Sequence, residues 1–250
     1  MIAASAFLLA AAATGAAALV QTVAAGESHD DGSAAPREQG VVPDTVGLTE
    51  VEAVRALGSA ELVANVRYDV DAPRTGRVLE SSPAPGGVAP ANAVVVLTIG
   101  PEPRLPPPPA DEEQELHALG TLVEANAAAF VGLYVGAGGT PHVVFGRGAE
   151  PTEWKRRLDA AAGGKHYVTE TCARERATLR ALQDELSERT WTANESLAFG
   201  VYVHPATCTV RVESDLLTPA EIDVLAARYG TAISIDTTPG SHPVGLEGRG

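Results

Sequence analysis

The distribution of apolar positions divides the chain before any other property is considered. Ile2 to Ala25 is apolar apart from Ser5, Thr14, Gln21 and Thr22. As a helix at about 1.5 Å per residue it would just span a hydrocarbon core roughly 30 Å thick. Residues 1–26 are therefore expected to be a targeting segment. It is either a signal peptide cleaved after Val23-Ala24-Ala25 or an uncleaved hydrophobic helix that anchors the chain to a membrane. Residues 27–40 are polar and acidic, with Ser, Gly and Pro, and read as a flexible tether. Beyond them, Thr49 followed by Glu52 forms a capping box that predicts a helix of about 9 to 12 residues. Val51, Val54 and Leu57 lie at helical spacing, and Gly58 offers a stop. Leu62 to Val70 carries β-branched residues in the alternation of a half-buried strand, and Val94 to Ile99 reads as a second, more apolar strand.

Pro101, Pro103 and Pro106 to Pro109 predict an extended polyproline linker over residues 101–110. Helical periodicity resumes from Asp111 to Ala128, with Leu116, Leu119, Leu122 and Val123 on one side. A weak internal duplication follows. Phe130 to Val135, His142 to Phe145, a helix Pro151 to Ala162 and His166 to Thr171 run parallel to Phe199 to His204, Cys208 to Val212, a helix Pro219 to Tyr229 and Ala232 to Ile235. Gly132-Leu133-Tyr134-Val135 matches Gly200-Val201-Tyr202-Val203. Thr218-Pro219-Ala220-Glu221 is a second capping box with Pro at the first helical position. Between the copies Arg174 to Arg189 predicts a further helix striped by Leu179, Leu182 and Leu186. Residues 111–237 thus predict an α+β domain of two ββαβ-like units, and residues 238–250 a disordered tail.

The segment 41–100 resembles the PASTA family. The likeness lies in Val42-Pro43-Asp44-Thr45-Val46-Gly47-Leu48-Thr49, in Glu52, Ala53 and Leu57 of the helix, in Val78, Ser81, Pro83 and Gly86, and in the closing Val-x-Leu-Thr strand. The resemblance implies one helix packed on a three-stranded sheet, outside the membrane, of a kind proposed to contact muropeptides of peptidoglycan or β-lactams. If the module binds such a ligand, Ser81, Ser82 and Pro83 would offer hydroxyls and extended backbone to a peptide stem, and Arg74 and Arg77 would pair with its carboxylates. The other reading is a spacer that binds nothing. Residues 111–237 loosely resemble the pro-regions of streptogrisin and α-lytic type secreted proteases. That likeness implies an inhibitor or folding chaperone acting in trans.

Composition narrows the function. A formal charge of −14 disfavours nucleic acid and polyanionic wall polymers as partners. The hydrophobic share of 45% with only 4% aromatics builds cores from small side chains, which suits two modest units better than one large catalytic fold. None of the compact catalytic or phosphate-binding signatures occurs, so no catalytic residue is assigned. The six His lie far apart and predict no metal site, and no cofactor is expected. Cys172 and Cys208 are the only cysteines and form either a disulfide or two buried thiols. The sequence therefore predicts a non-enzymatic, extracytoplasmic cell-envelope protein. Its PASTA-like module would meet peptidoglycan fragments, and its second domain an envelope protein partner.

Overall fold

The computed structural model describes residues 39–103 and 110–239. The expected targeting segment, nearly all of the tether, the centre of the proline-rich linker and the tail from 240 lie outside these residues. Among the described residues no helix is long and apolar enough to cross a membrane.

The architecture is α+β, with five α-helices, two short 3₁₀ helices and eleven strands in the described residues. A short strand β1 (Gln39–Val41) pairs antiparallel with β4 (Val88–Pro90). Helix α1 (Glu50–Ser59) starts at a complete capping box in which Thr49 and Glu52 exchange side-chain and backbone hydrogen bonds. It runs through Gly58 and ends one residue beyond the expected stop. Its buried residues Ala53, Val54 and Leu57 pack on β2 (Val63–Tyr68), β3 (Val78–Ser82) and β5 (Val94–Ile99) through Ala64, Val66, Val78, Val95, Leu97 and Ile99.

Beyond the linker, α2 (Ala110–Ala125) precedes two segments with the same order and pairing. In the first, β6 (Phe130–Val135) pairs antiparallel with β7 (Pro141–Phe145); α3 (Pro151–Ala161) then returns the chain to β8 (Val168–Thr171), parallel to β7. After α4 (Arg176–Ser187), β9 (Gly200–His204) pairs antiparallel with β10 (Thr209–Glu213). Helix α5 (Pro219–Tyr229), started by its own complete capping box, leads to β11 (Ile233–Asp236), parallel to β10. His166, expected on a strand, precedes β8.

Strand pairing crosses the sequence boundary at the proline-rich stretch. One six-stranded sheet runs β3-β5-β2-β11-β10-β9, joined where Asn65 and Val66 of β2 face Ile235 and Asp236 of β11 in parallel register. The backbone N–H of Thr237 donates to the Val66 carbonyl at 2.9 Å, and the Thr237 hydroxyl to Asn65 Oδ1 at 3.0 Å. This placement corrects the expected half-buried alternation of β2. Val63, Ala64, Asn65 and Val66 are all buried, because α1 covers one face of this interior strand and the second half of the chain covers the other. Val63 belongs to the core of Leu179, Leu186, Trp191, Leu225 and Ile233, while its neighbour Ala64 belongs to that of α1. The separate β6-β7-β8 sheet buries Phe130, Val143 and Phe145 against α2 and α3, and turns Val131 and Val144 toward the α4–α5 core.

Candidate functional site

Of the residues predicted to contact ligand, Ser81 and Ser82 lie on β3, the outer strand of the six-stranded sheet, Arg74 and Arg77 precede it, and Pro83 follows it. The start of β3 is occupied: Val78 N–H donates to the Leu48 carbonyl, and the Val78 carbonyl accepts from Gly47, both at 2.8 Å. The strand continues past this contact to Ser82. Ser82 and Pro83 are exposed, but Ser81 is 6% exposed and its hydroxyl faces the core with no hydrogen-bond partner among the described residues. Arg77 donates to the Gly47 carbonyl at 2.6 Å, and Arg74 to the Glu102 carbonyl at 3.3 Å. At roughly 3.3 Å per residue, the Arg77 and Ser82 backbones are about 16 Å apart along the strand. The two arginines and the Ser82-Pro83 corner therefore make opposite ends of an elongated edge rather than one pocket. Glu52, between Arg77 and Arg55, is held below the usual carboxylate range, chiefly by the backbone and side-chain hydrogen bonds of Thr49.

A second locus is centred on Arg55 of α1. Arg55 projects from α1, donates through Nε to the Ala206 carbonyl at 2.8 Å, and pairs with Glu170 of β8. Glu170 also accepts from Tyr134 at 2.6 Å and lies 2.6 Å from His142 Nδ1. Burial pushes the Glu170 carboxyl up, but the hydrogen bonds from Tyr134, Arg55 and His142 outweigh it and hold the group low. The same carboxylate, together with burial, pushes the Tyr134 hydroxyl up. A further buried cluster binds the start of α1 to the sheet. Arg211 of β10 pairs with Glu50 and, at 2.6 Å, with Asp236, while Tyr68 donates to Glu50.

Between these clusters is a cavity of about 490 Å³, lined in part by Arg55, Ser59, Arg147, Arg174, Thr207 and Cys208. Arg147 and Arg174 follow β7 and β8 and are joined by a backbone hydrogen bond of 3.2 Å from Arg147 N–H to the Arg174 carbonyl. The Arg174 guanidinium donates to the carbonyls of Cys208 and Thr231, both at 3.1 Å, and Arg147 Nε to the Ala173 carbonyl at 2.7 Å. Neither has a carboxylate partner among the described residues. Sequence reasoning missed this cavity and the Arg55–Glu170 pair, because the residues come from four elements whose proximity depends on the β2–β11 join. No group of three or more His, Cys, Asp or Glu among the described residues is placed to hold a metal ion. Cys172 and Cys208 are both thiols.

Residues 40–101 thus place one helix on the three strands β3-β5-β2, with β3 as the outer strand. Residues 40–101 match the family model of the PASTA domain, so the chain carries a PASTA domain over about a quarter of its length. PASTA domains are binding domains, generally associated with peptidoglycan and muropeptides in cell-envelope proteins, and proteins that carry them are typically extracytoplasmic. No curated protein matches the chain.

Proposed function

We propose that this chain is an exported cell-envelope protein whose PASTA domain contacts the peptide stems of peptidoglycan fragments and whose C-terminal half contacts an envelope protein partner. It is anchored by residues 2–25 or secreted after their cleavage. The PASTA match over residues 40–101 carries the reading. The geometry of β3 supports it: an extended peptide can add to an exposed sheet edge through its main chain while side chains at the ends of the edge select it. Ser82 and Pro83 at one end and Arg74 and Arg77 at the other are exposed for that purpose. Stem carboxylates paired with these arginines suit a chain of charge −14 better than the polyanionic wall polymers do.

Because β2 shares its sheet with β11, the test uses the intact chain. The protein is incubated with insoluble peptidoglycan at two salt concentrations. The proposal expects retention that weakens with salt and drops in an R74A/R77A variant. Absence of retention at low salt would overturn the peptidoglycan reading and favour a spacer.

A further inference from the structure

The two cysteines stand 36 positions apart in sequence and meet in space at Arg174. The Arg174 backbone N–H donates to Cys172 Sγ at 3.3 Å, and its guanidinium donates to the Cys208 carbonyl at 3.1 Å. The two thiols are near enough for each to shift the other's proton, and the Cys208 thiol donates to the Pro205 carbonyl at 3.8 Å. Their exposures differ: Cys172 is 1% exposed in the core between β8 and α4, whereas Cys208, on the β9–β10 turn, is partly exposed and lines the arginine cavity. The neighbouring Cys208 thiol, the Arg174 backbone N–H and the charges of Arg174 and Arg55 lower the Cys172 thiol to about 7 against the cost of burial. The neighbouring Cys172 thiol and burial push the Cys208 thiol up.

We propose that Cys172 and Cys208 form a reversible dithiol–disulfide pair, oxidised through this cavity by small disulfides that carry carboxylates. The external disulfide reaches Cys208 first, because only that sulfur lines the cavity. Cys208 releases its proton and, as the thiolate, attacks one sulfur of the external disulfide. One external thiolate leaves, and a mixed disulfide remains on Cys208. Cys172 then loses its proton and attacks Cys208 Sγ, expelling the second external thiolate. Two protein S–H groups become one S–S bond, two electrons pass to the external disulfide, and its halves leave as thiols with the two protons. Arg147 and Arg174, with no carboxylate partner among the described residues, favour an anionic reagent over a cationic one.

The intact chain is equilibrated with graded ratios of oxidised to reduced glutathione, quenched with acid, alkylated with iodoacetamide and mapped by peptide mass spectrometry. The expected result is loss of alkylation at both cysteines together, with one linked peptide lighter by two hydrogens, restored by dithiothreitol. Cysteines that stay alkylated under full oxidation, or that carry separate glutathione adducts without linking, would overturn the proposal. The oxidation rate is then compared with that for cystamine, a cationic disulfide. Glutathione disulfide is expected to react several-fold faster, and R147A to shrink that advantage by slowing glutathione disulfide without slowing cystamine. Equal rates for the two reagents in the unaltered chain would overturn the route through the arginine cavity.

Discussion

Replacing Arg211 by Met tests whether the PASTA domain and the C-terminal half are one folding unit. The Arg211 side chain is 5% exposed and neutralises Glu50 at the start of α1, 14% exposed, and Asp236 of β11, 9% exposed. Burial works against its charge, but Glu50 and Asp236 hold the guanidinium firmly protonated. Methionine fills much of the stem's volume, so the loss is mainly electrostatic: two buried carboxylates remain without a cation between them. Removing one partner of a buried ion pair typically costs about 3–5 kcal/mol. At about 2–4 °C per kcal/mol for a chain of this size, Tm should fall by roughly 6–20 °C. Urea unfolding followed by circular dichroism gives the free energy, and amide exchange in β5 and β10 shows where protection is lost. Since the cluster joins α1 to β10 and β11, both strands should lose protection together. A triple variant R211M/E50Q/D236N, which removes the stranded charges, should recover part of the loss. A cost below about 1 kcal/mol for R211M would refute the reasoning on the buried cluster. Lost protection confined to β10, with β5 unchanged, would refute the single unit.

Further outcomes follow from the same seam and its surroundings. Gly230 ends α5 with φ +53° and ψ −142°, and a Cβ there would lie 2.6 Å from Asn92 Oδ1 of the PASTA domain; G230A should cost about 1–3 kcal/mol by thermal melting, and an unchanged Tm would contradict that packing. Leu225 is fully buried in the core shared by α4, α5 and Val63, so L225A should cost about 2–5 kcal/mol in urea unfolding, and a loss within error would place α5 outside that core. Burial holds His204 below its usual 6.5, against the pull of Glu50 and alongside the repulsion of Arg211 and Arg55; its Nδ1 lies 3.0 Å from the Thr207 hydroxyl. The unfolded chain takes up that proton at higher pH than the folded one, so this contribution to stability is present above 6.5 and is lost as pH falls through it. H204Q should therefore lose less stability than the unaltered chain between about pH 7 and 5, and equal slopes would show that His204 titrates alike in both states.

Local chemistry made most elements legible in the sequence. Both capping boxes start helices at the expected residues, because Thr and Glu three positions apart satisfy the first backbone donors whatever surrounds them. The repeated strand-strand-helix-strand order is likewise carried by local periodicity. The join of β2 to β11 is a different matter. Parallel pairing between distant strands leaves no turn signal, so the alternation of β2 predicts a half-buried strand where Val63 to Val66 are covered on both faces. The candidate site suffered for the same reason. Ser81 offers a hydroxyl in the sequence, but the β-bulge between Val78 and Glu80 breaks the strand alternation and leaves it buried, and Arg147, Arg174 and Arg55 look like unrelated surface charges until the sheet brings them around one cavity.

The join also imposes an order on biogenesis. Tyr68 of β2 donates its backbone N–H to the Thr238 hydroxyl, 170 positions later in the chain. At about 5–20 residues per second, a ribosome needs roughly 8–35 s to reach that partner after making β2. During that interval the PASTA sheet has an unpaired inner edge of Val63 to Tyr68, an invitation to pair with the wrong strand. A chain that emerges slowly, whether from a ribosome or through a translocation pore, therefore depends on the last strand arriving before a neighbouring molecule does. Truncation near the C-terminus should harm the N-terminal PASTA domain more than its distance in sequence suggests.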